Sequence, residues 1–112
     1  MDWKPISQDG LQELIRGGIQ TMSAKDRALW ERVKMEPAKW ALPPLGDLGG
    51  GFWTVSVLGE YALWYNDIED GFNVSRFRKN GTLDEYICNQ DDVSTALHNL
   101  VLANQAAEHA RD

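Results

Sequence analysis

Phe52-Trp53-Thr54-Val55-Ser56-Val57-Leu58-Gly59-Glu60-Tyr61-Ala62-Leu63-Trp64-Tyr65-Asn66 is the stretch that decides the fold. Two runs rich in aromatic and β-branched residues flank Gly59-Glu60, a two-residue hairpin signal. The turn predicts strands over 52–58 and 61–66, with Val55 opposite Trp64 and Val57 opposite Ala62 on one apolar face. Thr54 opposite Tyr65 and Ser56 opposite Leu63 make a more mixed second face. Asp67 to Gly71 reads as a turn into a third strand over 72–79. Asn80-Gly81, the strongest short hairpin signal in the chain, then leads to a fourth strand over 82–88. That turn sets Val74 opposite Ile87 and Arg76 opposite Glu85, an apolar pair and an opposite-charge pair.

On either side of this meander the periodicity is helical. Leu11, Leu14, Ile15 and Ile19 recur at helix spacing, and Asp9 with Gln12 resembles a reciprocal capping pair, so a helix is expected over 9–20. Gly17-Gly18 weakens its end. Ser23 is an N-cap for a second helix over 24–35, carrying the apolar stripe Leu29, Trp30 and Val33, with Pro37 limiting it. Residues 36–51, with Pro43-Pro44 and Gly46 to Gly51, read as a long irregular connection anchored by Trp40 and Leu42. A last helix over 91–108 is capped by Asn89 or Asp91 and buries Val93, Ala96, Leu97, Leu100, Val101 and Ala107. The expected fold class is α+β: two N-terminal helices, a four-stranded antiparallel meander, and a C-terminal helix packed on the sheet.

Composition bounds the function. A chain of 112 residues, 43% hydrophobic and 25% charged, is one globular domain, 1–112, long enough to bury a core unaided. One cysteine forms no intrachain disulfide, and two histidines with it are too few for a conventional zinc site. No apolar run reaches the ~18–20 residues of a membrane span, and Met1 to Pro5 lacks the features of a signal peptide, so a cytoplasmic domain without membrane association is expected. Net charge is −6. Residues 1–40 hold 7 basic and 6 acidic side chains, whereas 41–112 hold 4 basic and 11 acidic ones. Such a field disfavours nucleic acid and favours a basic partner. Arg76-Phe77-Arg78-Lys79 is the one local basic run, and on a strand its members alternate between faces.

The candidate site is Trp64-Tyr65-Asn66-Asp67-Ile68-Glu69-Asp70-Gly71-Phe72-Asn73, with three carboxylates, two carboxamides and three aromatics in ten residues at a hairpin turn. Loops on a rigid hairpin present such groups to a partner, so Trp64, Tyr65, Asn66, Asp67, Glu69, Asp70, Phe72 and Asn73 are candidate partner-binding residues. Trp3 and Trp40 sit in irregular segments and either cover the core or remain as interface anchors, the second option adding Trp40 to the candidates, while Trp30, Trp53 and Trp64 fall on apolar stripes. A calcium loop aligned on Gly71 fails, because Ile68 takes the third position and Phe77 the place of the bidentate glutamate. A looser cation site at Asp67, Glu69 and Asp70 stays open as an alternative. No nucleophile elbow, phosphate-binding loop or metalloprotease motif is present, and Cys88 with His98 is the one thiol–imidazole pairing available. No catalytic residue, metal ligand or cofactor is assigned.

Gly50-Gly51-Phe52-Trp53, the Trp64–Asn73 segment and Asn89-Gln90-Asp91-Asp92 together resemble a family of short bacterial proteins with no assigned activity. In size, acidity and helix-plus-meander plan the chain is also similar to immunity proteins that neutralise secreted toxins, without a shared motif. The leading expectation is a non-catalytic protein-binding module, immunity-like or adaptor-like, with a protein partner of basic character. The alternative is a small-molecule or divalent-cation-binding protein using the same aromatic-acidic face. Homo-oligomerisation through a sheet edge stays open.

Overall fold

The computed structural model describes residues 4–110. Trp3 therefore lies outside the described residues. Helix α1 (Gln8–Gln20) begins at Ser7, whose Oγ accepts the Gly10 N–H at 3.0 Å. The cap is thus two residues upstream of the expected Asp9, which sits instead in the first turn and complements the helix dipole. Helix α2 (Ala24–Val33) is capped by Ser23 as expected, its Oγ accepting the Asp26 N–H at 3.1 Å. Arg27 of α2 closes the end of α1 by donating to the carbonyls of Ile19 and Gln20.

The chain then departs from expectation. It turns directly from α2 into a strand, β1 (Lys34–Trp40), where a helix end at 35 and then an irregular segment were expected. Pro37 is compatible with this placement, since β1 is an edge strand and needs no ladder donor there. The strand is held by burial of Trp40 and by Met35 and Ala38 packing beside it. After an irregular passage containing a short 3-10 turn at Asp47–Gly49, β2 (Phe52–Leu58), β3 (Tyr61–Asn66) and β4 (Gly71–Arg76) complete an antiparallel sheet in the order β1-β2-β3-β4.

The β2–β3 hairpin turns at Gly59, φ +60°. Val57↔Ala62 and Ser56↔Leu63 pair as read, but an irregularity between Thr54 and Ser56 puts Thr54, not Val55, opposite Trp64. The extra residue flips Val55 to the helix side of the sheet, while Val57 stays on the other. The β3–β4 ladder runs unbroken from Tyr61↔Arg76 to Asn66↔Gly71.

Residues 82–88 do not form a strand, and Val74 has no ladder partner in Ile87. The Asn80-Gly81 turn closes with Thr82 N–H donating to Lys79 O at 3.1 Å, but of its two central residues only Gly81 has positive φ. A type I′ hairpin needs both, and a turn with the second alone splays its flanks. The Arg76–Glu85 pairing survives in altered form: the Glu85 carboxylate accepts the Arg76 backbone N–H at 3.0 Å, while the Arg76 guanidinium reaches Glu60 at 3.3 Å. The segment lies instead as an irregular layer over the sheet.

Helix α3 (Val93–Ala110) is capped by Asp92, whose Oδ1 accepts the Thr95 N–H at 2.8 Å, in place of the expected Asn89 or Asp91. The molecule is α+β, with α1, α2 and α3 on one face of the sheet. Strand alternation divides the core in two. Val55, Leu63, Tyr65 and Phe72 pack with Leu11, Ile15, Trp30, Leu97 and Leu100 on the helix side. Phe52, Ala62 and Trp64 pack with Trp40, Leu42 and Leu83 on the other, joined by Tyr86 and Ile87 from the irregular layer. No helix among the described residues is long and apolar enough to cross a membrane.

Candidate functional site

The Trp64–Asn73 segment is largely turned inward. Trp64 is fully buried and its Nε1 donates to Ser75 Oγ at 2.8 Å, which donates onward to Glu85 O at 2.9 Å. Asn66 folds the turn: its Oδ1 accepts the N–H groups of Ile68 and Glu69, and its Nδ2 donates to Ile87 O. Asn73 binds the irregular layer, with Oδ1 accepting the Asn89 N–H at 2.7 Å and Nδ2 donating to Asn89 O and Gly71 O. Trp40 is buried edge-to-face against Phe77 at 4.9 Å. Tyr65 and Phe72 pack edge-to-face at 4.8 Å and are nearly covered. Of the nine candidate residues, seven are thus buried by the fold, because turn amides and aromatics here satisfy the chain's own backbone and core.

Asp67 is among them. Its Oδ2 accepts the Ile6 N–H at 2.7 Å, and the Ile6 carbonyl accepts Trp53 Nε1 at 3.2 Å, so one residue of the leading segment is held at both backbone groups. Asp67 Oδ1 is buried without a partner. Burial raises the Asp67 pKa above the ordinary carboxylate range, against the opposing pull of the Ile6 N–H and of Lys39, and with some help from Asp70. Burial, then the Asp70 and Asp67 carboxylates, raise the Tyr65 phenol likewise.

Glu69 and Asp70 remain exposed. Asp70 adopts φ +58°, and this left-handed corner directs the chain into β4. It also stands at the rim of a groove of about 440 Å3 between α1, the β3–β4 turn and the start of α3. Tyr65, Phe72 and Val93 supply the groove's covered apolar wall, and Leu14, 43% exposed, lies along it. Its carboxylates are Glu13, Asp70, Asp91 and Asp92, and no lysine, arginine or histidine lines it. Glu13 is paired with Arg16, and Asp91 accepts from Asn99 at 3.3 Å. A second hollow of about 310 Å3, between α1, α2 and β1, carries Lys34 and Glu36 together and has no such bias.

The groove unites three expected residues, Tyr65, Asp70 and Phe72, with groups that sequence reasoning had assigned to the start or the end of a helix. Asp91-Asp92 and Gly17-Gly18 were legible as a helix start and a helix end, but nothing in the sequence places them side by side. Cys88 and His98 do not form a pair: Cys88 is exposed and His98 Nε2 lies 2.8 Å from Asp26 Oδ2. Nor do three or more His, Cys, Asp or Glu side chains among the described residues converge as ligands would. No protein-family model, curated protein or solved structure matches this chain.

Proposed function

We propose that this chain is a small acidic bacterial protein that works in the cytoplasm as a non-catalytic protein-binding module, immunity-like or adaptor-like, and that its partner presents a basic surface. The observation that carries the reading is the groove, with four carboxylates, an apolar wall and no cationic lining residue. Such a surface attracts lysine and arginine side chains, steers their approach and rejects phosphate-rich partners.

The test neutralises the rim without disturbing the fold, using Glu13→Gln, Asp70→Asn and Asp92→Asn together. Asn tolerates the left-handed corner at 70 at least as well as Asp, and it caps helices as well at 92. The expected result is a stoichiometric partner co-purified from a bacterial host, associating more slowly as salt rises and lost with the triple variant. Undiminished association by a folded triple variant would falsify this site.

One observation favours a second reading: about 440 Å3 is in the range of small-molecule pockets. That reading predicts a thermal shift with a cationic metabolite, and a flat response across a broad panel removes it.

A further inference from the structure

We infer that the groove receives an extended, lysine- or arginine-bearing segment of the partner protein, whose main chain crosses α1 at Gly17; this rests on the protein-binding reading above. Glycine inside a helix is destabilising relative to alanine, so each of two consecutive ones asks for a reason. Gly18 has one within the fold: a Cβ there would lie 2.1 Å from Val93 Cγ1, and the glycine lets α1 close onto the start of α3. Gly17 has none. A Cβ at Gly17 would meet nothing within 4 Å, the backbone is helical, and the residue is exposed along the groove.

A bare stretch of helix backbone in a groove permits another main chain to approach more closely than any side chain would allow. The surroundings define that chain. Leu14, one turn before Gly17, offers an apolar step for a side-chain stem, and Glu13, Asp70 and Asp92 stand where charged heads would emerge. Lysine and arginine combine such a stem with such a head. Arg16 pairs with Glu13, but no lysine, arginine or histidine lines the groove, so its remaining carboxylates Asp70, Asp91 and Asp92 repel acidic segments and nucleic acid.

Alanine and leucine at position 17 separate this role from a structural one, because both favour the helix. Nonamer peptides selected from a random phage-displayed library against the immobilised chain serve as the probe, followed by fluorescence anisotropy with the wild type, Gly17→Ala, Gly17→Leu and the carboxylate triple variant. Expected are selected sequences carrying two or more basic residues, weakened about tenfold or more by Gly17→Leu. Gly17→Ala meanwhile raises Tm by about 3–6 °C. The inference is overturned by a selection without basic residues, by no selection at all, by equal binding to Gly17→Leu, or by a lowered Tm in Gly17→Ala. If the triple variant weakens the peptides tenfold while Gly17→Leu does not, the crossing at Gly17 falls and the protein-binding reading stands. If neither change matters, both fall.

Discussion

Asp67 carries a carboxylate to a place where one oxygen finds the Ile6 N–H and the other finds no partner. Because burial raises its pKa in the folded chain, the folded state holds the proton at pH values where the unfolded chain has released it. Its contribution to stability is therefore complete below the ordinary carboxylate range and is lost as pH rises through the raised value. Asparagine keeps an acceptor for Ile6 and has no charge to bury. Asp67→Asn is accordingly expected to gain stability relative to the wild type as pH rises from about 4 to about 7, measured by urea unfolding at both ends of that window. A constant difference would mean that the folded and unfolded pKa values coincide. From the sequence, Asp67, Asn66 and Asn73 looked like solvent-facing recognition groups, since the same residue types build exposed turns. Their partners, Ile6, Ile87 and Asn89, are supplied by distant parts of the chain, which is why the inward orientation could not be read.

Elements whose cause is local were legible. Ser23 caps α2, Gly59-Glu60 turns β2 into β3, and Leu11, Ile15, Val93, Ala96, Leu97 and Leu100 are buried on the spacing that predicts them, whereas Leu14 is exposed and Val101 and Ala107 are only half-buried. Strand β1 was not legible, because Pro37 and the charges of Lys34, Glu36 and Lys39 resemble a loop; those features also suit an edge strand that must resist pairing with another chain. Residues 82–88 have a strand-like apolar content, yet whether such a run joins a ladder or covers a face is decided by the turn before it. Two expected outcomes follow at this scale. Leu83, 2% exposed, anchors the irregular layer, so Leu83→Ala should cost about 2–5 kcal/mol in chemical denaturation; a loss under about 0.5 kcal/mol would mean the layer merely drapes the sheet. Gly18→Ala, forced against Val93, should lose about 1–3 kcal/mol, opposite in sign to alanine at the neighbouring position 17.

Across the whole molecule, charge and topology bear on the same region. The leading forty residues are nearly balanced, the remainder carries the acidic excess, and α1 from the first part closes on the acidic entrance of α3 from the second. Rim charges act on encounter more than on residence. Raising ionic strength from about 0.05 to about 0.15 M should slow association with a basic partner and leave dissociation nearly unchanged, and the carboxylate triple variant should flatten that salt dependence; stopped-flow mixing reads both rates. Equal salt slopes for the wild type and the triple variant would place the steering charges elsewhere.

The groove takes one wall from residues 13–21 and another from residues 90–93, with the entire meander synthesised between them. A nascent chain that has folded its sheet but not yet delivered residues 90–93 holds Glu13 and Asp70 but lacks Asp91, Asp92 and the second wall. On the protein-binding reading, recognition is thereby postponed until the two walls have met, and a fragment cut short in translation is expected to be mute toward the partner, however well its hairpins have formed.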